Sequence, residues 1–223
     1  MLPLRLSVAS LTTAALLLAA ASATASAHPH GTRAHDARTH DTQTHGTQTH
    51  TTVPEISGGG FETPVVPSPS PFTSHLGGQA VGPWTVGGHS VDLTSDRLWD
   101  AAEGSQSLDL NGSSSGSVSQ EIPTHPLTSY VVSFELAGNP AWAPALKTGE
   151  LRVDGVPVKT FAFDITGRGF RNMGWTRQTA VFTSLLKNSV TLTFAGTSPG
   201  VGGPVIDDVR VRSCLLVLCP PVS

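Results

Sequence analysis

The stretch ELRVDGVPVKTFAFDI, residues 150–165, decides the fold class of this 223-residue chain. The dipeptide DG at positions 154–155 favours a two-residue hairpin turn. After it, Phe161, Phe163 and Ile165 stand at alternate positions, and alternate side chains of a β-strand share one face. The pattern therefore predicts a β-hairpin with one buried face.

Similar short segments lie on both sides of this hairpin and are separated by turn residues. They include SLDLNG (107–112), YVVSFELAG (130–138) and SVTLTFAG (189–196). No stretch after residue 27 has a convincing helical period, and the chain is rich in glycine (23) and proline (17). About eight to ten short strands of this kind are typical of an all-β protein, a single β-sandwich or jelly roll.

The segment GPVIDDVRV (203–211) predicts the last strand of the sandwich. Val205, Val209 and Val211 alternate onto one face, and Asp207 falls on that same face. A buried carboxylate without a partner is costly. We therefore expect Asp207 to be buried with a specific partner.

The ends of the chain differ in composition from its centre. Residues 1–27 carry Arg5, an apolar run and a final Ala-Ser-Ala, the pattern of a signal peptide, which predicts a secreted protein. Residues 28–55 are rich in His and Thr and predict a disordered linker. A sandwich domain over 56–213 and a tail over 214–223 complete the predicted organisation.

Two further features bear on chemistry outside the core. In the linker, histidine recurs at every fifth position from His30 to His50, which suits either weak metal binding or a solvated spacer. Cys214 and Cys219 are the two cysteines, and in an oxidising compartment they form either a disulfide or two free thiols. The net charge of −3, without a basic cluster, argues against a nucleic-acid partner.

Several segments, taken in order, resemble one family. They are GGGFE (58–62), GPWTVGGHSVDL (82–93), GSVSQEIPT (116–124), YVVSFELAGNP (130–140) and GPVIDDV (203–209). Together they resemble the bacterial choice-of-anchor C family, which is related to the plant cell-wall proteins of the domain-of-unknown-function family numbered 642. The resemblance implies a galactose-binding-like jelly roll that is exported and associated with wall polysaccharide. Gly58 departs from the pattern, since the family usually has Asn there.

Candidate ligand-binding residues follow from that implied function. Trp142 lies in a loop interrupted by Pro and Gly, where its ring would be free to stack on a sugar. Asn139 either hydrogen-bonds sugar hydroxyls or shapes the turn before Pro140. Trp99, near another loop, is a further candidate. We expect a secreted, carbohydrate-binding module, with a protein-binding adhesive or scaffolding protein as the alternative.

Catalysis has little support in the sequence. The segment GGHSVD (87–92) is not a Gly-x-Ser-x-Gly nucleophile elbow, and we expect it to lie within a continuous strand. Paired carboxylates for glycoside cleavage are not evident, because Asp92, Asp100 and Asp109 have no defined partner in the sequence. A hydrolase is therefore the least favoured of the three functions.

The resemblance also implies a partner for Asp207. In sandwiches of this type the first and last strands come together, and a calcium ion often binds there. Glu62 and Asp207 would supply carboxylates and Gly60 a backbone carbonyl, which are ligands that calcium prefers. The alternative is that Asp207 accepts hydrogen bonds from backbone N–H groups without a metal.

Overall fold

The alternating pattern around residues 150–165 forms the predicted hairpin. In the computed structural model, which describes residues 56–214, strand β8 (Leu146–Val153) pairs with strand β9 (Val156–Asp164). Asp154 and Gly155 both have positive φ, 50° and 79°, as a turn of type I′ requires. The predicted signal peptide, the whole of the predicted linker and the predicted tail after Cys214 lie outside the described residues.

Two six-stranded antiparallel sheets make up the domain. The first sheet has the order β1-β4-β5-β12-β7-β10, and the second has the order β2-β3-β6-β11-β8-β9. The strands of the first sheet are β1 (Phe72–Leu76), β4 (Ser90–Ser95), β5 (Gln106–Asp109), β7 (Thr128–Gly138), β10 (Thr176–Ser184) and β12 (Pro204–Cys214). Those of the second, besides β8 and β9, are β2 (Ala80–Val81), β3 (Trp84–Gly88), β6 (Gly116–Pro123) and β11 (Ser189–Gly196).

The chain passes repeatedly from one sheet to the other, as in a jelly roll. From β5 to β8 and from β9 to β12, successive strands belong to opposite sheets. The predicted all-β sandwich is confirmed. The described residues form twelve strands against the expected eight to ten, and one of them, β2, has only two residues, too few for an alternating pattern to reveal. Among the described residues, no helix is long and apolar enough to span a membrane.

The core lies between the two sheets and follows the predicted alternation. Tyr130, Val132, Phe134 and Leu136 of β7 are all buried. The ring of Phe134 packs edge-on against Phe161 and Phe194 of the second sheet, with ring centroids 5.3 and 5.0 Å apart. Burying apolar side chains of this size stabilises the fold by roughly 1.5–3 kcal/mol each.

The beginning and the end of the domain meet at one backbone contact. The N–H of Val209 donates to the carbonyl of Gly59 at 3.0 Å. A side chain at Gly59 would collide with the carbonyl of Val209, so only glycine fits there. Asp208 has a φ of 45° within a bulge that shifts the register of β12. Asp207 is fully buried, as predicted.

The expected continuous strand through residues 87–92 is wrong. β3 ends at Gly88 and belongs to the second sheet, whereas β4 begins at Ser90 and belongs to the first. Gly88 has a φ of 66°, which allows the chain to turn between the sheets. His89 therefore lies at this crossing, and the hydroxyl of Ser90 hydrogen-bonds with that of Ser113 rather than with a histidine.

Candidate functional site

A cavity of about 220 Å³ lies over the outer face of the first sheet. Its floor is formed by polar side chains of β4 and β5, and its walls by the loops after β4, β7, β9 and β11. The lining residues are Phe72, Asp92, Thr94, Leu98, Trp99, Asp109, Asn139, Ala141, Trp142, Phe170 and Val201. All three predicted ligand-binding residues are among them, although whether each contacts a ligand stays a prediction.

Exposed aromatic rings surround the opening of this cavity. Trp142 is 54% exposed, Phe72 41% and Phe170 42%, each unusually accessible for a large apolar side chain. A Cβ atom at Gly202 would lie 2.7 Å from Cδ1 of Trp142, so the lack of a side chain at Gly202 leaves room for the indole ring. Neither Phe72 nor Phe170 carries a sequence signal of a binding role.

Trp99 differs from the other aromatic residues of the cavity. It is only 1% exposed, and its indole N–H donates to the hydroxyl of Ser107 at 2.9 Å. Its ring centroid lies 6.4 Å from that of Phe170. Trp99 is thus a buried side chain that packs beneath Phe170, and its predicted role in ligand binding stays a prediction.

Asn139 shapes the loop that carries Trp142. Its amide nitrogen donates to Oδ2 of Asp109 at 2.8 Å, and its amide oxygen accepts from the N–H of Ala141 at 3.0 Å. The side chain is buried. The structure thus favours the turn-shaping alternative for Asn139 over direct hydrogen bonding to a ligand.

Asp109 is the buried centre of the cavity floor. Besides Asn139, its carboxylate accepts from the N–H groups of Asn111 and Gly203. Burial raises its pKa to about 6, against the lowering effect of these three hydrogen bonds. Asp109 therefore ties two loops that build the cavity, those after β7 and β11, to the segment that follows β5.

Asp92 is the directly opposed partner of Asp109 in the β4–β5 pair. Its Oδ1 accepts from the hydroxyl of Ser74 on β1 at 2.6 Å, and burial raises the pKa of this half-buried carboxylate. The expectation that these aspartates lack a partner is wrong, because strand register brings them together. Both oxygens of Asp109 are engaged by protein donors, however, so the pair does not offer two free carboxylates for glycoside cleavage.

Lys147 of β8 holds two loops of the cavity in place. Its ammonium group donates to the carbonyls of Trp142 and Gly202, both at 2.7 Å, and the side chain is fully buried. Burial lowers its pKa, an effect that Asp109 partly opposes. The sequence around Lys147 indicates only a β-strand, so it did not predict that this side chain contacts two loops.

The two carboxylates of the expected calcium site are each engaged by backbone N–H groups. Asp207 accepts from Ala102, Glu103 and Asp208 at 2.7–2.9 Å. Glu62 accepts from the N–H groups of Ser105 and Gln106 and from the hydroxyl of Ser105.

These hydrogen bonds are the ones that the alternative without a metal requires of Asp207, whereas calcium binding would also use Glu62 and Gly60. Over residues 56–214, no three His, Cys, Asp or Glu side chains are grouped as metal ligands. Burial raises the pKa of Asp207 to about 7, against its backbone hydrogen bonds. The geometry favours the hydrogen-bonded alternative for Asp207, and the calcium site stays a prediction.

Cys214, at the end of β12, is disulfide-bonded. Cys219 lies outside the described residues. The predicted pairing of these two cysteines therefore stays a prediction.

A family profile matches residues 55–212, described as "Protein of unknown function (DUF642)". The chain belongs to the DUF642 family. The match spans the sandwich except for the last two residues of β12 and confirms the relation to the domain-of-unknown-function family numbered 642. No curated protein matches the sequence of this DUF642 member.

Solved structures with a similar layout include several carbohydrate-binding modules. TmCBM61 in complex with beta-1,4-galactotriose is 18% identical with a TM-score of 0.49, and the match covers 72% of this chain and 99% of that one. A family 35 module from Clostridium thermocellum is 16% identical with a TM-score of 0.44, covering 64% and 98%. The CBM22-1 xylan-binding domain of Paenibacillus barcinonensis Xyn10C is 16% identical with a TM-score of 0.40, covering 63% and 92%. Similarity at this level does not assign a function to the DUF642 protein.

Proposed function

We propose that this protein is a secreted, non-catalytic module that binds carbohydrate in the cavity of the first sheet. The observation that carries the proposal is the exposed ring of Trp142 beside a polar floor. An exposed indole offers a flat apolar surface for the C–H face of a sugar, while Asp92 offers an acceptor for its hydroxyls. Pockets that combine apolar walls with a few polar groups are the usual binding sites of small ligands.

The size of the cavity limits what it accommodates. About 220 Å³ is less than the roughly 300–1,000 Å³ of a pocket for a drug-sized ligand. The cavity therefore suits one or a few sugar rings, such as the end of a polysaccharide chain, rather than a long stretch of it.

Other parts of the proposal rest on the sequence. Residues 1–27 have the pattern of a signal peptide, which supports an extracellular location, and the disulfide at Cys214 suits an oxidising compartment. Within the DUF642 relatives, the ordered segments support a place in the choice-of-anchor C group and an association with cell-wall polysaccharide.

The test is the replacement Trp142→Ala, measured by binding to a panel of insoluble polysaccharides and by thermal unfolding. We expect binding to be lost with little change in stability, because the ring is more than half exposed. A buried tryptophan would instead cost about 3–5 kcal/mol on truncation.

The matched control is Leu186→Ala, which removes an 85% exposed apolar side chain outside the cavity lining. This variant should bind as the wild type does. A Trp142→Ala protein that is strongly destabilised but still binds would contradict the proposal. Retention on an extracellular protein, with binding to no polysaccharide, would favour the adhesive or scaffolding alternative.

A further inference from the structure

The cavity is acidic. Two carboxylates, Asp92 and Asp109, belong to its lining, and none of the described residues that line it is lysine or arginine. Asp109 is enclosed by protein donors. Asp92 has one oxygen bonded to Ser74, and no protein donor among the described residues bonds the other. Asp92 is therefore the charged group that a ligand in the cavity would meet.

Lysine and arginine side chains that contact the loops of the cavity, or adjoin its lining residues in the sequence, are already engaged by other partners. Lys147 donates to the carbonyls of Trp142 and Gly202. Arg97, next to the lining residue Leu98, donates to the carbonyls of Ser70 and Val66. These donors are occupied by carbonyls of the protein and so are not available to pair with a carboxylate on a bound sugar.

Arg171, which follows the rim residue Phe170, is engaged in the same way. Its guanidinium donates to the carbonyl of Asp96 and to a carboxylate oxygen of Asp100. This side chain would therefore have to leave an existing ion pair before it could compensate a negative ligand.

We propose that the site selects sugar rings without a carboxylate and rejects uronic acids. The inference rests on the proposed carbohydrate binding and names its substrate class. A uronate in the cavity would place a second negative charge within a few Å of Asp92. Like charges in contact oppose binding, and the effect is larger in a partly enclosed cleft than in open water. A neutral sugar would instead donate its hydroxyls to the same carboxylate.

The experiment compares pairs of glycans that share a backbone and differ at C6, where one member is neutral and the other carries a carboxylate. One pair is methyl-esterified and de-esterified oligogalacturonate. The others are galactan and glucan oligosaccharides and the same oligosaccharides oxidised at C6 to uronates. Affinities of the full mature chain are measured by calorimetry at about pH 8, where carboxylates are ionised. We expect the neutral member of each bound pair to bind on the order of tenfold more tightly.

Salt provides a measurement that needs no variant. Raising the ionic strength from about 0.01 M to about 1 M shortens the Debye length from roughly 30 Å to 3 Å. The ratio of neutral to uronate affinity should therefore shrink as salt increases, because screening weakens the repulsion. A ratio that is independent of salt would contradict an electrostatic origin.

The variant Asp92→Asn identifies the residue responsible. It keeps the size of the side chain and removes its charge, so the preference for neutral members should fall to about twofold or less. Glu121→Gln is the matched control, because it removes one carboxylate from β6 of the second sheet and should leave the preference intact.

The possible results distinguish the selectivity for neutral sugars from the proposed carbohydrate binding on which it rests. Uronate binding that equals or exceeds neutral binding in the wild type would overturn the selectivity but leave carbohydrate binding in place. A preference that persists in Asp92→Asn would overturn the role of Asp92. Binding to neither member of any pair would overturn the proposed function, and the selectivity with it.

Discussion

At the scale of single residues, Asp109 has the most unusual environment at the site. It is buried, yet it accepts hydrogen bonds from Asn111, Asn139 and Gly203. Desolvation outweighs these bonds and raises the pKa to about 6, above the ordinary value of 3.8. The folded state therefore binds a proton at Asp109 more tightly than the unfolded state does.

The raised pKa makes the stability of the fold depend on pH. Asp109 contributes stability that is fully present below about pH 4 and is lost as the pH rises through about 6. The loss is on the order of 2–3 kcal/mol. Denaturant unfolding of the wild type and of Asp109→Asn between pH 4 and 8 measures it. The difference in unfolding free energy between the two proteins should change with pH, and a constant difference would contradict the raised pKa.

Asp207 gives a second prediction at this scale. Its carboxylate is engaged by three backbone N–H groups, so we expect the thermal midpoint to be the same in calcium and in a chelator. Replacement by Asn should still destabilise the fold, because Asn has one acceptor oxygen where Asp207 uses two to accept from buried N–H groups, at a cost of about 1–3 kcal/mol. A calcium-dependent rise in the midpoint that disappears in Asp207→Asn would instead establish the metal site.

At the scale of elements, the site depends on two loops that leave the sheet side by side, where Gly138 at the end of β7 pairs with Pro204 at the start of β12. The loop after β7 carries Trp142, and the loop after β11 carries Val201 and Gly202. Lys147 donates to both loops, and the N–H of Asn139 donates to the carbonyl of Gly203. The position of the exposed indole therefore depends on a buried cation in a strand of the opposite sheet.

Replacing Lys147 by Met should loosen both loops. Two carbonyls lose their donor, which costs about 1–3 kcal/mol, although relief from burying the ammonium group offsets part of this. We expect weaker glycan binding and faster hydrogen exchange at the amides of Asn139 and Gly203. Lys159→Met, in the neighbouring strand β9, is the control and should change stability by less than about 0.5 kcal/mol. Unaltered exchange in Lys147→Met would contradict the positioning role.

At the scale of the whole molecule, the sandwich accounts for the region that the family profile matches. The profile covers residues 55–212, and a backbone hydrogen bond connects Gly59, near the start of this region, with Val209, near its end. The His- and Thr-rich segment before residue 56 has few apolar side chains with which to pack. We therefore expect the domain to fold without it.

Truncation tests this expectation. A chain that begins at Val53 should unfold thermally within about 2 °C of the mature protein, and it should bind the same glycans. A chain that begins at Phe61 is the comparison: it lacks the Gly59–Val209 contact and should be clearly less stable. A large drop in the midpoint for the longer of the two chains would show that the preceding segment packs on the domain.

The local patterns of the sequence were sufficient for the architecture. Alternating apolar residues and the Asp154-Gly155 turn are properties of neighbouring positions, so the strands, the hairpin and the sandwich were all predictable. The loop composition around Trp142 likewise predicted an exposed ring. The break between β3 and β4 was missed, because a strand that changes sheets keeps the same alternation on both sides of the crossing.

The tertiary structure alone decided the composition of the site. Phe72, Asp92, Asp109, Phe170 and Val201 are separated by up to 129 positions along the chain (201 − 72), and no local motif connects them. Asp92 faces Asp109 because of the register between β4 and β5, and Lys147 reaches Gly202, 55 positions away, because distant parts of the chain pack together. Alternation repeats every two residues and determines which face a side chain occupies. It carries no information about which distant strand lies beside that face, and this depends on how the whole core packs.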